Sequence, residues 1–107
     1  AAALGDIGTH FPPGDPQYKG ISSLILLGRV KDMLTKAGWK VGNIDATVVA
    51  EEPKLRGYID NMRQKLAQSL GCDVSQVSVK ASTSAELGFV GREEGMVAWA
   101  VALIDKG

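Results

Sequence analysis

VSVKASTSAELGFVGR, residues 77–92, changes character halfway along, and that change decides how the rest of the chain is read. Val77, Val79 and Ala81 alternate with Ser78, Lys80 and Ser82, a period of two that makes a strand with one apolar face. Ser82, Thr83 and Ser84 then place consecutive hydroxyls where the strand should end. Beyond them Gly88 and Gly91 bracket Phe89 in an irregular loop that closes on Arg92. Hydroxyls at the carboxyl end of a strand in an α/β sheet are short donors at the crevice where phosphate oxygens are held. The same residue types also end strands and open turns with no ligand involved.

Upstream, residues 43–50 form a second β-rich run carrying one charge, Asp45, and Glu51-Glu52-Pro53-Lys54 breaks it. Leu55, Ile59, Met62, Leu66 and Leu70 follow at helical spacing up to Gly71, which predicts a long amphipathic helix. Lys54 thus lies between a strand end and a helix N-terminus, where exposed backbone donors and the helix dipole favour an anion. Glu51 and Glu52 oppose such a site, and a surface lysine is ordinarily just solvated.

Downstream, residues 96–104 are apolar at every position. Met96, Ala98, Ala100, Ala102 and Ile104 fall on one face and Val97, Trp99, Val101 and Leu103 on the other, so both faces call for cover. Earlier in the chain, Ser22 and Ser23 offer an N-cap for a helix with Leu26, Val30, Met33 and Ala37 on one stripe and Gly38 as its stop. Two helices connecting strands by right-handed crossovers pack on one side of a three-stranded sheet. The other side then meets something outside these elements: partner subunits, or a further layer of the same molecule. The expected fold is therefore α/β, in a two-layer α+β arrangement. A small mixed β-sheet carries helices on one face and places its other face in an oligomer interface.

Residues 5–20 are rich in Pro and Gly, carry Asp6 and Asp15, and show neither period, which predicts a long loop of the kind that is functional or mobile. Before it, AAAL reads like the tail of a helix. The whole is expected to be one domain over residues 1–107. Lys plus Arg number 12 and Asp plus Glu number 12, so no overall field steers the chain to nucleic acid or an anionic membrane, and any anion site is local. One cysteine, Cys72, makes no internal disulfide, which points to an intracellular protein. No apolar run approaches the roughly 20 residues of a transmembrane helix.

Residues 80–92, KASTSAELGFVGR, resemble the C-terminal signature of the 2-C-methyl-D-erythritol 2,4-cyclodiphosphate synthase family, usually K-A-T-T-T-E-x-L-G-F-x-G-R. GDIGTHFPPGDP at 5–16 and GNIDATVVAEEPK at 42–54 resemble two further segments of that family, in the same order. The resemblance implies a homotrimeric, cytoplasmic or plastid-stromal lyase of isoprenoid biosynthesis that cyclises a CDP-linked small molecule. It also implies roles for single residues. Thr83 would steady the transferring phosphate, while Ser82 and Ser84 line the diphosphate. Ala50 and Lys54 would flank cytidine, Asp6, Ile7 and Gly8 would orient the methylerythritol part, and Phe11 and Asp15 would belong to a flap. Phe89 belongs to the substrate-binding signature, and Arg92 would point into a central cavity.

Several positions depart from that family. Its zinc and magnesium cofactors need ligands, and the Asp-x-His motif and later His that hold zinc are not in this sequence, which offers only His10 and Cys72. The magnesium-binding Glu is Ala85 here, with Glu86 one place late. Pro13 replaces a common Asp, and Trp99 stands where the family has a Glu. The contrasting expectation is a catalytically incompetent module that binds cytidine nucleotides or merely oligomerises.

Overall fold

The computed structural model describes residues 1–51, 55–83 and 95–107. Along the chain run α1 (Ile7–His10), α2 (Ser23–Lys36), β1 (Trp39–Val49), α3 (Ile59–Leu70), β2 (Val77–Ser82) and β3 (Val97–Lys106), with short 3-10 turns at Pro16–Tyr18, Arg56–Tyr58 and Val74–Gln76. The sheet order is β2-β1-β3: β2 lies parallel to β1 and β3 antiparallel to it, so the sheet is mixed, as expected.

The helices end where their sequences direct. Ser22 accepts a hydrogen bond from Leu24 N at 3.2 Å and caps α2. Gly71, at φ 63°, supplies the left-handed residue that closes α3, a conformation costly for any residue with a Cβ. α3 packs on β2, and α2 packs on β1 and against α3. The buried centre is Ala67, Val77 and Val79, with Ile44, Ala46, Ile59, Met62, Leu66 and Cys72 packed around it. Val77 is 2 % exposed, and burying a valine of this kind stabilises by about 2 kcal/mol.

Two side chains tie the layers. Arg63 on α3 donates from Nε to Val77 O at 2.7 Å and from Nη2 to Val74 O at 3.0 Å, which fixes the chain where it enters β2. Gln76 donates from Nε2 to Gly42 O at 2.8 Å while its Oε1 accepts from Asp73 N at 2.8 Å. Asp73 and Gln76 form a capping box around the turn before β2.

Five sequence expectations need correction. β1 begins at Trp39 rather than near Asn43, because Trp39 and Lys40 pair with Lys106 and Asp105, which also carries β3 two residues past Ile104. A bulge between Val41 and Asn43 accommodates the extra length. It requires glycine at position 42, where a Cβ would stand 2.7 Å from Asp105 Oδ2 and 3.0 Å from Leu103 O. The stretch from Leu55 opens as a 3-10 turn, and the α-helix starts only at Ile59. Residues 1–5 are not helical, since Ala3 at φ 56° and Gly5 at φ 91° leave the right-handed path. The segment 5–20 is not all loop: α1 and the turn Pro16–Tyr18 interrupt it, each nucleated by an aspartate cap rather than by apolar periodicity.

Paired residues share a face, so the register sorts the sheet. Ile44, Ala46, Val77 and Val79 face the helices, together with Ala100 and Ala102. The opposite face carries Ser78, Lys80 and Ser82 on β2, Asn43, Asp45, Thr47 and Val49 on β1, and Val97, Trp99, Val101 and Leu103 on β3. Lys80 and Asp45 form an ion pair there. Trp99 is 59 %, Val101 73 % and Leu103 56 % exposed, so the apolar strand expected to be covered on both faces is open among the described residues.

Candidate functional site

β1 and β2 are parallel and end together. Ala50 N donates to Ser82 O at 3.0 Å, joining the two strand ends directly after the last paired residues, Val49 and Ser82. A cavity of about 340 Å³ opens at this end, lined by Ala50, Leu55, Arg56, Ala81, Ser82 and Thr83. Its position follows from topology: a helix that leaves one parallel strand and returns to the next opens a crevice beyond their carboxyl ends. Ala50, Leu55 and Ala81 give it an apolar wall, and Ser82 and Thr83 give it hydroxyls. Ser82 Oγ donates to Thr83 O at 3.2 Å, while Ala50 and Glu51 are buried at the strand end.

Asp6, Ile7 and Phe11 lie elsewhere, in a cavity of about 280 Å³ shared with Leu4 and Gly5, with His10 of α1, and with Val30 and Met33 of α2. Among the described residues the two cavities have no lining residue in common. The segment that bears these residues is held by its own chemistry. Asp6 accepts from Thr9 N at 3.1 Å and from the Thr9 hydroxyl, bonds that hold its carboxyl below the ordinary carboxylate value. Asp15 accepts from Gln17 N at 3.1 Å and from Gln17 Nε2 at 2.9 Å, with the same effect on its pKa. Gly8 sits within α1. Phe11 packs edge-on against Tyr18, ring centroids 5.3 Å apart, and Arg29 of α2 lies 5.6 Å over the other ring of that pair. Asp6 and Asp15 thus act as helix caps.

Of the site residues read from the sequence, Ala50, Ser82 and Thr83 come together, Asp6, Ile7 and Phe11 form a separate group, and Asp15 belongs to the neighbouring turn. Lys54, Ser84, Phe89 and Arg92 lie outside the described residues, as do Ala85 and Glu86. Leu55 and Arg56 join the first cavity although the sequence does not mark them as site residues. Their signal was positional: they follow the strand-to-helix break that had drawn attention to Lys54.

The zinc that the resemblance implies does not fit the described residues. Zinc takes about four ligands in tetrahedral reach, and among these residues no three His, Cys, Asp or Glu side chains converge. His10 Nε2 is bonded to Leu4 O at 2.6 Å. Cys72 lies beyond the far end of α3, its thiol pushed above the ordinary value by burial and then by the Asp73 charge. No described helix is long and apolar enough to cross a membrane.

A parallel strand pair ending in hydroxyls beside an apolar wall defines a class: a small α/β protein with a crevice that suits a ligand part apolar and part anionic. Its relatives narrow it. The chain belongs to the YgbB family, whose sequence profile matches residues 1–105. It is 66 % identical over 106 residues to a 2-C-methyl-D-erythritol 2,4-cyclodiphosphate synthase of Dehalococcoides mccartyi (strain CBDB1), covering 99 % of this chain and 68 % of the relative. It is 56 % identical over 107 residues to the synthase of Thermosynechococcus vestitus, covering 100 % of this chain and 66 % of the relative. Among solved structures, the bifunctional IspDF from Campylobacter jejuni matches with a TM-score of 0.94 at 36 % identity, covering 100 % of this chain and 29 % of that one. IspF from Plasmodium falciparum, in a CDP complex, matches at 0.80 and 31 % identity, over 94 % of this chain and 60 % of that one. The chain spans about two thirds of the length of these curated relatives.

Proposed function

We propose that this chain carries the nucleotide-binding and phosphate-positioning residues of a cyclodiphosphate synthase. That lyase converts a CDP-methylerythritol 2-phosphate to methylerythritol 2,4-cyclodiphosphate and CMP in non-mevalonate isoprenoid biosynthesis. The observation that supports this reading most is the meeting of Ala50, Ser82 and Thr83 in one crevice, in a chain of this family.

The reaction is an attack by a phosphate oxygen on the neighbouring phosphorus. An O–P bond forms within the product while the P–O bond to CMP breaks. Such a displacement needs alignment and charge neutralisation more than proton transfer by side chains. In the proposed roles Thr83 steadies the transferring phosphate from the end of β2, and Ser82 and Ser84 bind the diphosphate oxygens. Ala50 and Lys54 wall the cytidine. Asp6, Ile7 and Gly8 orient the methylerythritol part, Phe11 and Asp15 order the flap, and Phe89 and Arg92 complete the binding signature.

The assembly belongs to the same proposal. The open apolar strip on β3 needs cover, and the two groups of site residues occupy separate cavities of one copy. Both fit a homotrimer that buries the sheet face the helices leave bare. The partner of the reaction is a small molecule, with no nucleic acid and no membrane.

The test is thermal denaturation with nucleotides, since a ligand that binds only the native state raises stability by mass action. A shift with CDP and none with UDP is the expected result. The contrasting module draws on Ala85, which stands where the family's magnesium-binding Glu is expected. Silence with both nucleotides would favour an oligomerising module over the synthase. Because the described residues assemble no zinc site, the purified chain is expected to form no cyclodiphosphate, or a trace, with zinc and magnesium added. Ordinary turnover would overturn that expectation.

A further inference from the structure

The described residues include three arginines, and two of them have structural work. Arg63 is bonded to Val77 O and Val74 O and pairs with Asp60 at 3.4 Å. Arg29 lies over the Tyr18 ring. Arg56 differs: among the described residues no hydrogen bond, ion pair or ring contact holds its side chain, and its residue is exposed. It nevertheless lines the crevice at the strand ends that Ser82 and Thr83 also line, and the described lining contains no carboxylate. Its place on the chain adds to this. Arg56 opens the 3-10 turn that runs directly into α3, where the positive end of the helix dipole also favours an anion, and the carboxylate of that first turn, Asp60, is paired with Arg63.

We propose that the Arg56 guanidinium is a phosphate-binding group of this crevice, recognising the diphosphate of a nucleoside diphosphate whose base lies toward Ala50, Leu55 and Ala81. The inference rests on the nucleotide reading above and deepens it. The lining offers both chemistries: apolar side chains for the base, and one cation and two hydroxyls for the phosphates. A guanidinium suits that end because its planar fork donates two parallel hydrogen bonds to phosphate oxygens. Arg56 acts here in binding, and no proton or bond passes through it.

The experiment is calorimetric titration of the chain and its Arg56→Ala and Arg56→Lys variants with CDP, CMP and cytidine. Arg56→Ala should weaken CDP about tenfold, as expected for loss of hydrogen bonds to a charged group. It should weaken CMP less and leave cytidine unchanged. Arg56→Lys should restore part of the CDP affinity, and its melting temperature should match that of the unaltered chain because the residue is exposed. CDP affinity unchanged in Arg56→Ala would overturn the assignment and leave the nucleotide reading standing. Equal losses for CDP and cytidine would also overturn it, since they would mean packing rather than phosphate recognition. Failure of the unaltered chain to bind CDP would overturn both.

Discussion

Replacing Trp99 with Asp tests the proposed assembly at the point where the register makes the outcome cleanest. Trp99 pairs with Thr47 across the β1/β3 ladder, so a carboxylate at this position has no like charge directly opposite it. Val101 is a poorer choice, because it faces Asp45 and two carboxylates directly opposite would destabilise the monomer itself. Trp99 is 59 % exposed in the single chain. For a side chain that buries up to about 250 Å², that leaves roughly 150 Å² to be covered. At about 25 cal/mol per Å², covering it stabilises each subunit in the assembly by about 4 kcal/mol. Losing that alone lowers the association constant by between two and three powers of ten, roughly, at 1.4 kcal/mol per tenfold. An unpaired buried carboxylate adds to the loss at each equivalent position. Sedimentation equilibrium at micromolar concentration, with circular dichroism as the control for folding, should show the unaltered protein as a trimer and Trp99→Asp as dissociated or precipitated. A clean monomer for the unaltered protein, unchanged by the substitution, would refute the assembly.

Three further outcomes are expected. In a form of the protein that turns over, Thr83→Val should lower the rate more than the affinity and Lys54→Ala should mainly raise the dissociation constant, as steady-state and binding measurements would separate; lost affinity with an intact rate for Thr83→Val would contradict its role. Gly42→Ala should destabilise the fold by about 1–2 kcal/mol, the overpacking cost less the smaller gain from restricting the unfolded chain. Leu103 O, a backbone atom 3.0 Å from the new Cβ, must yield, and a melting temperature equal to that of the unaltered protein would contradict this. Asp6, Asp15 and Asp73 all have carboxyls lowered from 3.8 by hydrogen bonds from Thr9, Gln17 and Ser75. Their contribution is therefore complete above that ordinary value and is lost as pH falls through their lower folded values. Amide signals of Thr9, Gln17 and Ser75 followed by NMR should move only at pH below about 4, and movement centred above pH 5 would count against the caps.

What the sequence by itself determined is whatever a few neighbouring residues encode. The alternation of Val77, Val79 and Ala81 became β2 because a strand's side chains reverse every residue, whatever it pairs with. Ser22 and Gly71 set the start of α2 and the end of α3 because capping bonds close within a turn. The hydroxyls at 82 and 83 reached the strand-end crevice because β2 stops where its period stops, and the three matched motifs carried the family over nearly the whole chain.

The tertiary structure decided what depends on partners far along the chain. The true start of β1 was illegible because Trp39 and Lys40 become strand only through Lys106 and Asp105 on β3. The role proposed for Arg56 was also hidden. A cation's meaning is set by which groups surround it, and only the folded chain places it in one crevice with Ser82 and Thr83, with no described carboxylate in the lining.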